Sequence, residues 1–325
     1  MLGKEKYAYA PIEDWGNFPS ELILGDVAGI AIDSKDRVYL FNRGDHPIVV
    51  LDKTGDVLST WGHGLFKNPH GASIGPDQNI YLTDNFDHTV RKFSLDGELL
   101  LELGTSGLSS GFMSGKPFCK CTHSAVSLSG DIYVSDGYSN ACIHHYDPSG
   151  KLLKSWGSPG TGPGEFNLPH NICCDGDGWI YVADRENSRV QIFGPSGRYE
   201  TQINNMHRPS GLALTLGSCP DCIVGELASY LRVNSDFPNL GPFVSFFNKS
   251  GSLISRLDTG QGPGLGPGQF VSPHSIAVDS SGDLYVGDVA ETDWHSVMGE
   301  SSIPTDVRRF QKLKRLHIES IGNPN

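Results

Sequence analysis

A single pattern repeats along most of the 325-residue chain and limits the folds open to it. A strand-like segment that closes on an acidic or amide residue occurs as VYLFN at 38–42, IYLTD at 80–84, IYVSD at 132–136, IYVADR at 180–185 and LYVGD at 284–288. Successive copies begin about 42 to 52 residues apart, except for one interval of 104 residues that holds a divergent copy near 205–258. Turns rich in Asp, Gly and Ser separate the strands, in a chain with 40 glycines and 20 prolines. Together the copies indicate six units of four strands each.

Six such units favour a radial arrangement. A four-stranded unit of this length cannot bury both faces alone, and placing the units around an axis buries them against one another. We therefore predict an all-β, six-bladed β-propeller in one domain over 1–325, in preference to a β-sandwich with accidental repetition. Residues 1–24 are expected to close the ring, with Tyr7–Trp15 completing the last blade beside VRRFQKLKRL. The predicted blades cover roughly 25–62, 66–104, 118–157, 166–204, 205–258 and 270–317.

Charge and composition argue against several classes of protein. The net charge of −12 disfavours nucleic-acid partners and anionic membranes, since both call for a basic surface. No apolar run reaches the roughly 18 residues of a membrane helix, and MLGKEKYAYAPIEDWG lacks the apolar stretch of a signal peptide. Seven cysteines, an odd number in a chain without such a signal, argue against a disulfide framework. We expect a cytoplasmic protein, and the sequence leaves its oligomeric state open.

Function is expected where the blades converge, at positions that differ between repeats. One such position opens the innermost strand and is occupied, from blade 1 to blade 6, by Ala28, His70, His123, His170, Ser210 and His274. The histidines of blades 2, 4 and 6 follow a proline, and each stands 11 residues before a strand tyrosine. Alternate blades of a six-fold ring place three imidazoles roughly 120° apart, as a three-histidine metal site requires.

We therefore predict that His70, His170 and His274 bind a metal ion. Zinc is the first expectation for imidazole ligands, while iron or another transition metal stays open. The alternative is that histidine merely serves as a hydrogen-bonding residue in these turns. His123 stands 10 residues before its tyrosine, on an odd blade, so we expect it near the site and not as a ligand.

A second variable position lies just past the next strand, at the same mouth of the channel. It carries Arg43, Arg185 and Tyr138. Arginine suits a carboxylate or a developing oxyanion because its planar fork donates two hydrogen bonds at once. A dication and two guanidinium groups favour a phenolate, so Tyr138 is a candidate general base. For Arg185 the alternative is a structural role, since DRENSRV is typical of a loop that stabilises the repeat.

Other features are weaker signals. Cys219 and Cys222 form a single CxxC without a second pair, which argues against a zinc knuckle or a redox motif. His144 and His145 are expected on an outer strand at the surface. Residues 289–304 form a long insertion between the two middle strands of the last blade, where they could act as a lid.

The repeats resemble NHL repeats, and the residues that depart from them resemble the catalytic core of peptidyl-α-hydroxyglycine α-amidating lyase. The resemblance covers roughly 25–290 and rests on VAGIAI with FNRGDH, NPHG, VSDGYSN, PGEFNLPH, VADRENSRVQIF and SPHSIAV with YVGD. It implies zinc bound by the three histidines named above, Tyr138 as the catalytic tyrosine, and Arg43 and Arg185 as the active-site arginines. It also implies cleavage of the C–N bond of an N-acyl-α-hydroxyglycine to an amide and glyoxylate, without consumption of water.

Departures from that family limit what carries over. The family aspartate after the third histidine, which helps hold a structural calcium with backbone groups at Ile30 and Ala72, is replaced by Ser275, so calcium is doubtful here. Ser272 replaces a methionine and makes the pocket more polar. Ser139 and Tyr181 replace disulfide-forming cysteines of the secreted enzymes, which suits a reducing compartment.

Three functions follow from the sequence. We expect no monooxygenase partner domain to supply hydroxylated peptides, so the first is a zinc lyase for a small carbinolamide or ureido analogue that bears a carboxylate. The second is a metal-dependent hydrolase of the lactonase or esterase type, in which the metal activates water. The third is a non-catalytic NHL scaffold, which predicts no stoichiometric metal.

Overall fold

The repeat forms six antiparallel sheets in the computed structural model, which describes residues 1–217, 219–235, 237, 239–299 and 301–317. The innermost strands of neighbouring sheets contact one another in sequence around the axis, and the sixth contacts the first. The sheets therefore stand as blades around a closed ring. The predicted six-bladed β-propeller is confirmed.

Two N-terminal strands, β1 (Leu2–Lys4) and β2 (Tyr7–Ile12), precede the first blade. Blades 1 to 3 consist of β3 (Val27–Ile32), β4 (Val38–Asn42), β5 (Ile48–Leu51) and β6 (Val57–Trp61); β7 (Pro69–Ile74), β8 (Ile80–Asp84), β9 (Thr89–Phe93) and β10 (Leu99–Gly104); and β11 (Cys121–Val126), β12 (Ile132–Asp136), β13 (Cys142–Tyr146) and β14 (Leu152–Trp156). Blades 4 and 5 consist of β15 (Pro169–Cys174), β16 (Ile180–Asp184), β17 (Arg189–Phe193) and β18 (Tyr199–Ile203); and β19 (Pro209–Leu214), β20 (Cys222–Glu226), β21 (Phe243–Phe247) and β22 (Leu253–Leu257). Blade 6 contains β23 (Pro273–Val278), β24 (Leu284–Asp288) and β25 (Phe310–Leu316). Within the described residues, helical structure comprises a 3₁₀ turn at Arg185–Asn187 and the helix α1 (Ala290–Met298).

The N-terminal segment closes the ring. Strand β2 pairs with β25, and β1 adds a fifth strand outside it, in the order β1-β2-β25-β24-β23. Trp15 follows β2 and packs its ring 5.2 Å from Tyr285 and 5.7 Å from Phe310, measured between ring centroids. The expected contact of Tyr7–Trp15 with the last blade is therefore present.

The position of a strand in its blade determines its composition. Second strands such as β8 and β12 are buried at every residue, because the neighbouring blades cover both of their faces. Outer strands such as β6 and β14 contain no buried residue and include polar side chains. At the crowded axis small residues are required, since a Cβ on Gly71 would lie 2.7 Å from Cδ2 of His123.

The prediction for the paired histidines of blade 3 is wrong. His144 and His145 lie on β13, the third strand, and both are buried. His144 Nδ1 lies 2.7 Å from Ser155 Oγ, and its Nε2 lies 3.2 Å from Asp136 Oδ2. The sequence analysis placed these histidines at the surface on an outer strand. They are buried because the third strand of a blade is still covered by the neighbouring blade.

All seven cysteines are described and are free thiols. Cys142 belongs with Asp136 and His144 to a buried cluster of potential metal ligands. Asp136 already accepts hydrogen bonds from the Cys119 amide and from Asn140 Nδ2. Blade 4 has the same arrangement, in which Gln191 donates to Asp184, so this cluster is a structural feature of the repeat.

Replacing Phe246 by alanine should destabilise the ring closure strongly. Its fully buried ring stacks on Tyr7 at 4.1 Å and on Tyr9 at 5.6 Å, between ring centroids. We expect a loss of about 3–5 kcal/mol in the free energy of unfolding, because the cavity adds to the lost apolar burial. Urea unfolding measures it. The control Phe112→Ala, at a side chain 75 % exposed, should cost less than about 0.5 kcal/mol, and equal losses would contradict the closure.

Candidate metal centre

Three histidines from alternate blades meet on the axis. His70, His170 and His274 are each the second residue of an inner strand, β7, β15 and β23, and each follows the proline that begins it. Their ring centroids are 4.7 to 4.9 Å apart, so they form a nearly equilateral triangle. Their potential ligand atoms all lie within 4.8 Å of one another. The structure thus brings together the three residues predicted as metal ligands.

Each histidine is oriented by the next blade. The Nδ1 atoms of His70, His170 and His274 lie 2.6, 3.3 and 2.8 Å from the carbonyl oxygens of Thr122, Ser210 and Ala28. A carbonyl oxygen only accepts hydrogen bonds, so each Nδ1 carries the proton. The lone pair then resides on Nε2, the atom that faces the axis in this arrangement.

Burial keeps the three imidazoles neutral. All are almost completely inaccessible to solvent, which lowers the pKa of each well below the usual histidine value. The neighbouring histidines and arginines lower these pKa values further, because a second positive charge is unfavourable there. Neutral imidazole is the form that binds a metal ion.

The donor set fits a borderline transition metal and does not fit calcium. Three neutral imidazoles are ligands for zinc and its neighbours, and three protein ligands leave a coordination position open. Calcium prefers six or more oxygen ligands, carboxylates among them. At the position considered for calcium, the Ser275 hydroxyl instead accepts a hydrogen bond from the Ile30 amide at 2.9 Å.

His123 does not occupy the position that the repeat count gave it. Cys121 pairs with Asp136 as Pro69 pairs with Asp84, so Thr122 is the structural equivalent of His70. The assignment of His123 to this position is therefore wrong by one residue. Blade 3 lacks the proline that marks the register in blades 2, 4 and 6, and His123 is the buried residue one step further along the strand.

Tyr138 and Arg185 lie beside the histidines, as predicted. The Tyr138 hydroxyl is 3.1 Å from Nε2 of His70 and 3.3 Å from Nε2 of His170. Arg185 donates from Nη1 to the same hydroxyl at 3.4 Å, and its guanidinium carbon lies 5.4 Å from the centre of the tyrosine ring. A hydroxyl so placed can exchange a proton with a molecule bound at the histidines.

Arg43 approaches from the opposite side of the mouth. Its Nε donates to the Pro69 carbonyl at 3.2 Å, next to the candidate ligand His70, and its Nη1 donates to Thr292 Oγ1 at 2.8 Å. Thr292 belongs to α1, so the predicted insertion does reach the site. In that helix Trp294 is buried and His295 is exposed.

Several residues of the mouth were not predicted. Glu186 accepts hydrogen bonds from both Arg185 and Arg208, and the Arg208 guanidinium lies 3.9 Å from the centre of the Tyr230 ring. Asp26 contacts both Arg43 and α1. These residues lie on loops of different blades, and only the charge of Glu186 beside Arg185 was a signal in the sequence.

Comparison with known proteins identifies a matching family model and several similar proteins. The family model for the NHL repeat matches residues 166–193. Human NHL repeat-containing protein 3 is 30% identical over 311 residues, which cover 88% of this chain and 82% of that protein. The chain belongs to the NHL repeat-containing family. Peptidyl-α-hydroxyglycine α-amidating lyase 1 of Drosophila melanogaster is 32% identical over 86% of this chain and 58% of the relative.

Some of the relatives are much longer than this chain. Peptidyl-glycine α-amidating monooxygenase B of Xenopus laevis is 30% identical over 85% of this chain, and the match spans only 34% of that protein. The chain thus spans about a third of the amidating monooxygenases it matches. Among solved structures, virginiamycin B lyase from Staphylococcus aureus superposes with a TM-score of 0.56 at 16% identity, covering 82% of this chain and 80% of that one. That likeness concerns the fold alone. In the described part of the chain, no helix combines the length and apolar character needed to cross a bilayer.

Proposed function

We propose that the protein is a zinc-dependent lyase that cleaves the C–N bond of a small N-acyl- or ureido-α-hydroxyglycine. One observation carries the proposal: the Tyr138 hydroxyl lies 3.1 and 3.3 Å from two of three converging histidine Nε2 atoms, within reach of Arg185. The relatives named as amidating lyases support the same activity.

The residues of the site have separate roles in the proposed reaction. His70, His170 and His274 would hold zinc, which when bound supplies Lewis acidity towards the carbinol oxygen of the substrate. Tyr138 acts as the general base that accepts the carbinol proton, and Arg185 donates a hydrogen bond to its oxygen. The electron pair of the broken O–H bond forms the carbonyl of glyoxylate while the C–N bond breaks. The departing amide nitrogen regains a proton from Tyr138, so atoms balance without water.

The product distinguishes this lyase from a hydrolase on the same scaffold. N-Benzoyl-α-hydroxyglycine is a suitable probe, because a lyase converts it to benzamide and glyoxylate whereas amide hydrolysis releases benzoate. We expect the zinc-loaded protein to release benzamide and glyoxylate in equal amounts, far faster than buffer with zinc alone. Chromatography that separates benzamide from benzoate measures the outcome. Benzoate as the product, or release no faster than in buffer from protein that contains zinc, would overturn the proposal.

A further inference from the structure

Helix α1 is anchored at its first turn by a residue from blade 1. The carboxylate of Asp26 accepts hydrogen bonds from the backbone amides of Glu291 at 2.9 Å and Thr292 at 3.0 Å. The helix has no side-chain cap of its own at Val289. Asp26 therefore supplies the missing N-terminal cap from another blade, where a negative charge also suits the helix dipole.

The rest of the helix is fixed as firmly. Trp294 is buried in an apolar cluster with Val271 and Val307. Asp293 accepts hydrogen bonds from the Tyr230 hydroxyl at 2.6 Å and from Ser272 Oγ. Contacts to blades 1, 5 and 6 thus hold α1 on the rim, where it forms one wall of the mouth.

This wall holds Arg43 in place. Thr292 Oγ1 donates to Asp26 and accepts from Arg43 Nη1 at 2.8 Å. With the Pro69 carbonyl on Nε, two bonds from opposite sides fix the plane of the guanidinium. A guanidinium has five N–H donors, so further donors stay available for a planar anion. Arg185 instead donates hydrogen bonds to Glu186 and to the Tyr138 hydroxyl.

We propose that Thr292, held by Asp26, is a positioning residue that aims Arg43 at the carboxylate of the substrate. The two arginines then have separate roles, with Arg185 at the proton-transferring hydroxyl and Arg43 at the carboxylate. This inference rests on the proposed function and adds how the substrate is selected. A substrate without a carboxylate gains nothing from Arg43.

The substitution Thr292→Val tests this role, because it keeps the side-chain shape and both backbone bonds to Asp26. A hydrogen bond to a charged group is worth about 1.5–3 kcal/mol, so KM for N-benzoyl-α-hydroxyglycine should rise about 10-fold or more. The kcat value should change less than about 2-fold, since the bond is made equally in ground and transition states. KM for the methyl ester of the same probe should not change in Thr292→Val. The Thr292→Ser variant, which keeps the hydroxyl, should retain the wild-type KM.

Binding of glycolate to the zinc-loaded protein, measured by titration calorimetry, provides a readout that does not need turnover. We expect the Kd to rise about 10-fold in Thr292→Val and to stay at the wild-type value in Ser296→Ala, a matched change at an exposed position of the same helix. An unchanged Kd, or equal losses for acid and ester, would overturn the positioning role. If the protein binds glycolate in this pattern yet cleaves no carbinolamide, the proposed reaction fails and the role of Thr292 stands.

Discussion

Replacing His170 by alanine is expected to abolish metal binding and to lower kcat/KM by about 10³-fold or more. Catalytic zinc sites use three protein ligands, and the loss of one leaves only two imidazoles to hold the ion. The substitution also removes the hydrogen bond to the Ser210 carbonyl. Mass spectrometry of the metal content should find about one zinc per chain in the wild type and almost none in the variant.

The control for this experiment is His63→Ala. His63 is exposed and lies only against the Asp45 carbonyl, so its loss should leave the metal content unchanged. Zinc retained at wild-type stoichiometry in His170→Ala would contradict the proposed site. A wild-type protein that binds no metal after careful purification would remove both enzymatic hypotheses and leave a binding propeller.

Replacing Tyr138 by phenylalanine should lower kcat about 10²- to 10⁴-fold while the zinc content stays at the wild-type value. The substitution removes only the hydroxyl that contacts His70, His170 and Arg185, and the aromatic ring still fills its place. Steady-state kinetics with N-benzoyl-α-hydroxyglycine, together with metal analysis of the same sample, measures both effects.

A matched Tyr81→Phe variant provides the comparison. Tyr81 lies on β8 of blade 2, away from the three histidines, and its hydroxyl is 3.4 Å from Asp77. It should keep nearly full activity. A Tyr138→Phe enzyme within about 3-fold of wild type would rule out proton transfer by this hydroxyl, because a general base contributes about 10²-fold at least.

The fold and the histidine triangle could be predicted because both depend on regular spacing. The strand segments 38–42, 80–84, 132–136 and 284–288 coincide with β4, β8, β12 and β24. The proline before each of the three histidines marks the same register in alternate blades. Where that marker is missing, in blade 3, counting misplaced His123 by one residue, since a β-strand carries no other sign of its start.

The surroundings of the site could not be predicted in the same way. Asp26, Thr292 and Arg43 meet at the rim although the first and second are separated by almost the whole sequence. Their meeting depends on ring closure and on an insertion that interrupts the repeat. Periodicity assigns no strand register to an insertion. The length of the insertion was visible in the sequence, but neither α1 nor its contacts could be predicted from it.

The hydrogen bonds behind the three histidines also have a consequence for the order of folding. Blades 2, 4 and 6 supply the imidazoles, and blades 3, 5 and 1 supply the carbonyl groups that orient them. All six blades therefore take part in one inner belt. A nascent chain that has not yet completed its sixth blade holds two imidazoles and cannot assemble the third. Because β2 pairs with β25 in that blade, metal loading of the proposed site would report that these two strands have paired.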